Sequence, residues 1–292
     1  MGTRCTAQTV ENHMSNATLR SGTAQKVVLI TGASSGIGQA CAVHLASRGW
    51  RVFGTRRGSS AASPGGPFEM ITMDVDEDES VRSGVETLLS KAGRLDAVVN
   101  NAGFSLMGPI EDTSIEEAKA QMETNFFGVL RVCRATLPAL RQQGGGHIIN
   151  ISSLAAVVGL PFSGLYSASK FALEGLSESL RLETKPFGIR IVLVEPGDFR
   201  TPITTKRRTT QASNNNDTYR EAFARLKVKQ DQDEAHAPDP QAVARLVERI
   251  LRNRKPKMRY TVGMLGQRIV VPLKRFLPQS LFEWLFCRVV GL

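Results

Sequence analysis

From residue 26 onward, hydrophobic positions follow two alternating rhythms. Short aliphatic or β-branched runs at 27–30, 51–55, 68–73, 95–99, 147–151 and 190–194 each predict a strand. Between most of them, apolar residues recur three and four apart and predict helices at about 36–48, 78–92, 114–142, 163–185 and 239–253. Several helices have readable stops. Gly49 and Gly93 follow the first two, Gly144-Gly145-Gly146 ends the long one, and Pro186 with Gly188 closes the next. Strands alternating with helices over this length imply a parallel sheet covered on both faces, an α/β, doubly wound, Rossmann-type domain.

That domain is expected to run from residue 25 to 292 as one unit. Residues 1–24 are polar and aperiodic and read as a disordered leader. Within the leader, Met1-Gly2 with Thr6 fits the loose N-myristoylation pattern, with Cys5 as a second acyl site and Met14 as a competing start. No internal repeat is visible. The stretch from Thr209 to Thr218, with Asn214-Asn215-Asn216, reads as a mobile loop.

Composition narrows the class. A chain of 292 residues that is 41% hydrophobic can bury a substantial core. It contains no apolar run of the roughly 18 residues that would span a bilayer and no secretory signal pattern, so the expected compartment is the cytoplasm. Cys5, Cys41, Cys133 and Cys287, like the four histidines, are scattered, which indicates neither disulfides nor a metal site. The net charge of +10 is concentrated: residues 251–292 hold nine Lys/Arg against Glu283 alone. A basic tail therefore needs explaining. The body is near neutral, and with 6% aromatic residues and no recognisable module, Lys206-Arg207-Arg208 does not make a nucleic-acid binder.

Directly after the first strand comes Thr31-Gly32-Ala33-Ser34-Ser35-Gly36-Ile37-Gly38, leading into a helix. Small residues there let the backbone approach a pyrophosphate, and the helix N-terminus offers free N–H groups and a positive dipole end. The second strand ends in Thr55-Arg56-Arg57. An acid at that place would hold a ribose 2′-hydroxyl; two guanidinium groups suit a 2′-phosphate, which favours NADP over NAD.

Tyr166 and Lys170 lie one turn apart on a predicted helix and share a face. A free tyrosine has a pKa of about 10, and lowering it by two to three units takes about 3–4 kcal/mol, which a neighbouring ammonium can help supply. Ser153, thirteen residues earlier at a strand end, can donate to a substrate oxygen as that oxygen gains charge.

Thr-Gly-x-x-x-Gly-x-Gly from Thr31, Asn100-Asn101-Ala102-Gly103, Asn125 in Thr124-Asn125-Phe126-Phe127, Ser153 and Tyr166-x-x-x-Lys170 resemble the short-chain dehydrogenase/reductase family, over about residues 26–201. Glu195-Pro196-Gly197-Asp198-Phe199-Arg200-Thr201 and the later Arg259-Tyr260 resemble its steroid- and retinol-dehydrogenase-like, non-extended branch. The resemblance implies hydride transfer between a nicotinamide and an alcohol or carbonyl carbon. Tyr166 would be the acid/base, Ser153 would polarise the oxygen, Lys170 would hold the cofactor ribose, and Asn125 would hold a water linking that lysine to solvent. It further implies contacts from Asp74 and Val75 to adenine, a brace from Asn101, Ala102 and Gly103 beside the cofactor, and a nicotinamide wall of Pro196, Gly197 and Thr201. Family relatives are often homo-oligomers built on the fourth and fifth helices. A non-enzymatic NADPH-binding regulator on the same fold is the alternative.

At the substrate end, residues 202–238 are a polar insertion expected to lid the pocket. Phe104, Leu106, Leu154, Leu160 and Phe162 are its candidate apolar neighbours, suggesting a hydrophobic substrate. The tail, about 264–292, mixes Lys274, Arg275 and Arg288 with Phe276, Leu281, Phe282, Trp284 and Phe286. A basic amphipathic helix of this kind packs on the domain, the pocket or a second subunit, or lies on an anionic bilayer.

Overall fold

In a computed structural model of the chain, residues 25–58, 66–201, 207–214 and 216–291 are described. The leader, with its acylation pattern, lies outside them. Valines, isoleucines and leucines of the predicted strands form the centre of a seven-stranded, all-parallel sheet. Its strands are β1 (Val27–Ile30), β2 (Arg51–Arg56), β3 (Glu69–Thr72), β4 (Ala97–Asn100), β6 (Gly146–Ile151), β7 (Ile189–Pro196) and β9 (Arg259–Val262). Their spatial order is β3-β2-β1-β4-β6-β7-β9. A separate two-stranded ladder joins β5 (Leu106–Met107) to β8 (Arg208–Thr209).

Successive residues of β1 serve opposite faces, as a period of two requires. Val27 and Leu29 pack toward α2 (Asp78–Ala92), α4 (Gly128–Gln142) and α5 (Gly164–Thr184). Val28 and Ile30 pack toward α1 (Gly36–Ser47) and α7 (Gln241–Arg252). Both layers are fully buried, so the central strands read as continuous apolar runs. The doubly wound, Rossmann-type expectation is borne out in a single domain. The strand order reverses between β1 and β4, and a ligand crevice belongs beyond the carboxyl ends there.

Three departures from the sequence reading bear on the site. The long helix expected at 114–142 is interrupted: α3 (Ile115–Met122) passes through a π turn, Glu123–Phe127, before α4 begins. There the Gly128 N–H reaches back to the Glu123 carbonyl, and the widened turn carries Asn125. The stretch read as a mobile loop instead holds β8, a 3₁₀ turn at Gln211–Asn214 and the start of α6 (Asp217–Ala235), a 19-residue helix in the polar insertion. Helix α6 buries Phe223 and Glu234 and is otherwise largely polar, so it had no apolar stripe to announce it. The tail folds as α8 (Leu265–Arg268), α9 (Val270–Phe276) and α10 (Gln279–Val290), broken at Pro278. Among the described residues no helix is long and apolar enough to cross a membrane.

Candidate active site

Beyond the carboxyl ends of β1 and β4 lies a groove of about 230 Å³, and its walls are the residues the glycine pattern singled out. Gly32, Ser34, Ser35, Gly36 and Ile37 form one side. Gly32 and Gly36 take left-handed φ values of 64° and 59°, open to glycine at little cost. Helix α1 starts at the groove with neither a side-chain cap bond nor an acid in its first turn, which leaves its N-terminal amides for an anion. Gly38 lies one layer deeper. A Cβ there would run into the Asn101 amide and stand 2.5 Å from the Gly32 carbonyl oxygen, so this glycine serves packing.

Asn101, Ala102 and Gly103 complete the inner wall. The Thr31 hydroxyl oxygen accepts from the Asn101 and Ala102 amides at 2.9 and 3.0 Å, and Asn101 Nδ2 donates to the Thr31 and Gly32 carbonyls at 3.0 and 3.1 Å. These bonds lock the glycine loop to the end of β4. At the groove's other end Arg56, Arg57, Asp74 and Val75 converge. A row of glycine-loop amides, two guanidinium groups and a carboxylate around one groove fits a dinucleotide.

A second cavity, of about 150 Å³, adjoins the groove through Ile37, Asn101 and Gly103. Ser153, Tyr166 and Lys170 line it together with Pro196, Gly197 and Thr201. Tyr166 and Lys170 face it from α5, and Ser153 follows the end of β6. The Lys170 ammonium donates to the Ile151 carbonyl at 2.9 Å and lies 5.8 Å from the centre of the Tyr166 ring. Burial lowers the Lys170 ammonium to about 8, against an opposing pull from Glu174 one turn on. Burial raises the Tyr166 phenol; a hydrogen bond with Ser153 works against that rise, and the Asp198 and Glu234 carboxylates add to it.

Asn125 lines neither cavity. Its Oδ1 accepts from the Phe104 amide at 3.1 Å, and its Nδ2 donates to the Phe104 carbonyl at 3.0 Å and to Ser169 Oγ at 3.1 Å. Ser169 Oγ in turn donates to the Tyr166 carbonyl at 2.7 Å. Asn125 thus joins the Phe104 segment to α5, and its amide reaches the lysine's neighbour in sequence.

A third cavity, of about 460 Å³ and mostly apolar, opens from Ser153 and Gly197 toward the tail. Leu154 and Leu160 line it as expected, and Phe104 lines the two smaller cavities. Leu106 and Phe162 do not line any of these spaces. Leu106 is buried in β5 against β8, and Phe162 packs edge-on to Tyr219 and at a tilt to Phe223 of α6. Residues distant in sequence supply the rest: Val270, Phe286, Val289 and Val290 from the tail and Leu226 from α6. The expectation that the tail packs on the domain holds for its inner face, where Lys274 donates to the Val157 carbonyl at 2.6 Å and Phe282 is buried. Sequence reasoning also missed Arg207, Glu234 and Gln267. The first two line the cavity of Ser153 and Tyr166, and Gln267 bonds to Asp198. Arg207, read as part of a basic triplet, has a side chain only 4% exposed and pairs with Asp231 and Glu234.

Residues 26–212 match the family model described as short chain dehydrogenase. The chain is 40% identical over 259 residues to a 3-ketodihydrosphingosine reductase from Bacteroides thetaiotaomicron, covering 89% of this chain and 96% of the relative. It is 38% identical over 197 residues to human 17-beta-hydroxysteroid dehydrogenase type 1, covering 63% and 60% of the two chains. Among solved structures, a short-chain dehydrogenase from Streptomyces avermitilis superposes with a TM-score of 0.75 at 33% identity, covering 91% of this chain and 97% of that one.

Proposed function

Since the chain belongs to the short chain dehydrogenase family of NAD(P)-dependent oxidoreductases, we propose that it interconverts an alcohol and its ketone or aldehyde, with NADP as cofactor and an aliphatic-chain substrate. The observation that carries this reading is the small cavity lined by Ser153 and Tyr166, which shares Ile37, Asn101 and Gly103 with the glycine-loop groove on one side and Ser153, Pro196 and Gly197 with a large apolar cavity on the other. The Bacteroides thetaiotaomicron relative, matched over nearly its whole length, is named for reducing a 3-keto compound, which agrees with a ketone as one partner of the reaction. A regulator that only binds NADPH would have no use for that small cavity.

The cofactor would be held by the amides of Gly36, Ile37 and Gly38, by Arg56 and Arg57 at a 2′-phosphate, by Asp74 and Val75 at adenine, and by Pro196, Gly197 and Thr201 beside the nicotinamide. When bound, it supplies or accepts the hydride. Tyr166 gives the substrate oxygen its proton in reduction and takes it back in oxidation. Ser153 donates to the same oxygen while it carries charge, and Lys170 holds the ribose and favours the phenolate. The phenol of the free protein lies above its ordinary value. Bringing it into a working range needs the lysine's charge and that of the oxidised nicotinamide together.

The tail supports an extension of the reading. Leu265, Phe276, Trp284 and Val289 are exposed on it, and Arg275 and Arg288 lie over the rings of Phe276 and Trp284. Such a face suits the surface of an anionic bilayer, from which an aliphatic substrate would reach the neighbouring cavity. Liposome co-sedimentation of the full-length protein and a chain ending at residue 267 tests this; equal partitioning of both removes it. A homo-oligomer would draw on Phe171 and Leu182, exposed on α5.

The central test is NADPH oxidation with long-chain ketones, steroids and retinoids, comparing the wild type with Tyr166→Phe. The variant should lose about a thousandfold or more in turnover while binding NADPH as before. Near-wild-type turnover in it would overturn the assignment.

A further inference from the structure

Beyond Tyr166 and Lys170 the same face of α5 continues. Tyr166, Lys170, Glu174 and Glu178 follow one another at four-residue spacing and so stack along one stripe of the helix. Glu174 is the unexpected member, because it is buried, and a buried carboxylate is rare unless it is paired. Two other segments hold it. The Ser152 hydroxyl, just past the end of β6, donates to its Oε1 at 2.7 Å, and the Arg259 guanidinium of β9 donates to its Oε2 at 2.8 Å. Arg259, singled out in the sequence with Tyr260, has no part in the chemistry described so far.

That guanidinium is shared. It also pairs with Glu178 and stands 3.6 Å from Glu195 of β7, whose second oxygen accepts from Thr261 at 2.9 Å. The register of β7 on β9 sets Thr261 opposite Glu195 and gathers these groups at one sheet edge. One cation thus serves three carboxylates. Lys170 is the other cation beside them. Its hydrogen bond goes to the Ile151 carbonyl, and it pairs directly with no carboxylate among the described residues. Burial depresses the Lys170 ammonium, and the charge that opposes this is Glu174. Tyr166 faces the lysine from the turn before, and Asp198 and Glu234 act on that phenol from the far side. A pair between Arg259 and Glu178 alone would tie β9 to α5, so that task does not call for a buried carboxylate one turn from the lysine.

The proposed chemistry asks two things of this end of β6. Ile151 and Ser153 must keep their places, and the ammonium must stay charged while the phenol gives up its proton. We propose that Glu174 is a positioning residue for the reaction, a carboxylate that Ser152 and Arg259 hold one turn from Lys170 so that it fixes the strand end and keeps the ammonium charged. Arg259 sets how much of that negative charge the lysine feels. Glu174 lines none of the three cavities, so it acts through Lys170 and Ser152. The inference rests on the carbonyl reduction proposed above and adds the group that sustains its lysine.

The test follows Lys170 itself in the full-length protein, by NMR titration of isotope-labelled lysine side chains; the resonance missing from Lys170→Arg identifies it. Its midpoint in the wild type should lie at about 8. Glu174→Gln keeps the shape of the side chain without its charge, and should lower the midpoint by about one pH unit. Arg259→Gln should raise it, because the carboxylate then acts undivided, and this variant serves if the first folds poorly. A midpoint unmoved in Glu174→Gln, or moved the same way by both variants, overturns the proposal. The rate consequence is read in NADPH-driven reduction of a long-chain ketone. There the deficit of Glu174→Gln against the wild type should deepen about tenfold between about pH 6 and pH 9, as the variant loses its ammonium first. A deficit constant across that range overturns positioning through charge. If no ketone turns over, the proposed reaction fails, and the two midpoints still decide whether Glu174 sustains the charge on Lys170.

Discussion

The Lys170 ammonium donates to the Ile151 carbonyl at 2.9 Å, so the cation of the cavity lined by Ser153 and Tyr166 is fixed to the last residue of β6. The same strand end presents Ser153 two residues later, and one stretch of backbone therefore fixes Ser153 and the Lys170 ammonium relative to each other.

That anchoring comes with a burden. Lys170 titrates at about 8 in the folded protein and at about 10.4 when unfolded. Below about pH 8 the fold carries the full penalty of a buried ammonium. Between the two values the unfolded chain binds more protons, so this group's contribution to stability rises with pH, and above both the penalty is gone. Lys170→Met should therefore abolish turnover yet stabilise the protein at pH 7, by about 2 kcal/mol after allowing for the lost hydrogen bond. The advantage should shrink as pH rises from about 8 to about 10. Urea titrations at pH 7 and pH 10 check this; an advantage that grows with pH contradicts it.

Ser153 opposes the upward shift of the Tyr166 phenol and also accepts from the Ala155 amide at 3.1 Å. Ser153→Ala should lower kcat about a hundredfold. It should also move the rising limb of alcohol oxidation, which requires the phenolate, to higher pH. A rate loss with an unmoved limb would reduce Ser153 to positioning.

The residues proposed to carry this chemistry are legible because local sequence fixes their relations. Four residues on a helix put Tyr166 and Lys170 on one face, and a strand followed by Thr31 to Gly38 announces a cofactor turn whatever lies elsewhere. Asn125 was placed in a plain helix because a π turn has no signal in hydrophobic spacing. Arg207, Glu234 and Gln267 were invisible for another reason. Glu234 sits on a helix with no apolar stripe, Arg207 lies just before β8 and is held by its pairs with that helix, and Gln267 belongs to a tail whose docking surface is set by tertiary contacts. Phe162 was misplaced because its backbone takes the left-handed φ of 56°, rare for a bulky residue, and its ring packs onto α6. Strand β9 gives no strand signal, because its four residues, Arg259–Val262, include two polar ones and none is fully buried.

Arg56 and Arg57 stand at the groove's end where an NAD-dependent enzyme would carry an acid. Replacing both with alanine should raise KM for NADPH by about 10- to 100-fold and change kcat/KM for NADH little. Equal losses with the two cofactors would mean that the arginines do not read the 2′-phosphate.

Gly38 gives a prediction independent of the chemistry. Because a methyl group there meets the Asn101 amide and the Gly32 backbone, Gly38→Ala must displace the glycine loop from β4. A cost of about 1–3 kcal/mol follows, read as a lower urea midpoint with an unchanged m-value, and NADPH affinity should fall with it. A variant as stable as the wild type would show that the loop yields freely.

Chain-length preference tests the apolar cavity directly. Val270 lines it from α9 and is half buried, so a larger side chain there extends into the open volume without displacing the core. Val270→Trp should leave NADPH binding and turnover of short aliphatic ketones close to wild type. It should raise KM for long-chain ketones, since each methylene denied burial forfeits about 0.8 kcal/mol, or roughly fourfold in affinity. Loss of three buried methylenes would thus appear as a change of about fiftyfold in the ratio of long- to short-chain kcat/KM. The geometry also sets the sign of the contrast: filling the cavity penalises only the part of the substrate distant from Tyr166, whereas damage at the catalytic end would depress every ketone alike. An unchanged ratio would place the aliphatic chain somewhere other than this cavity.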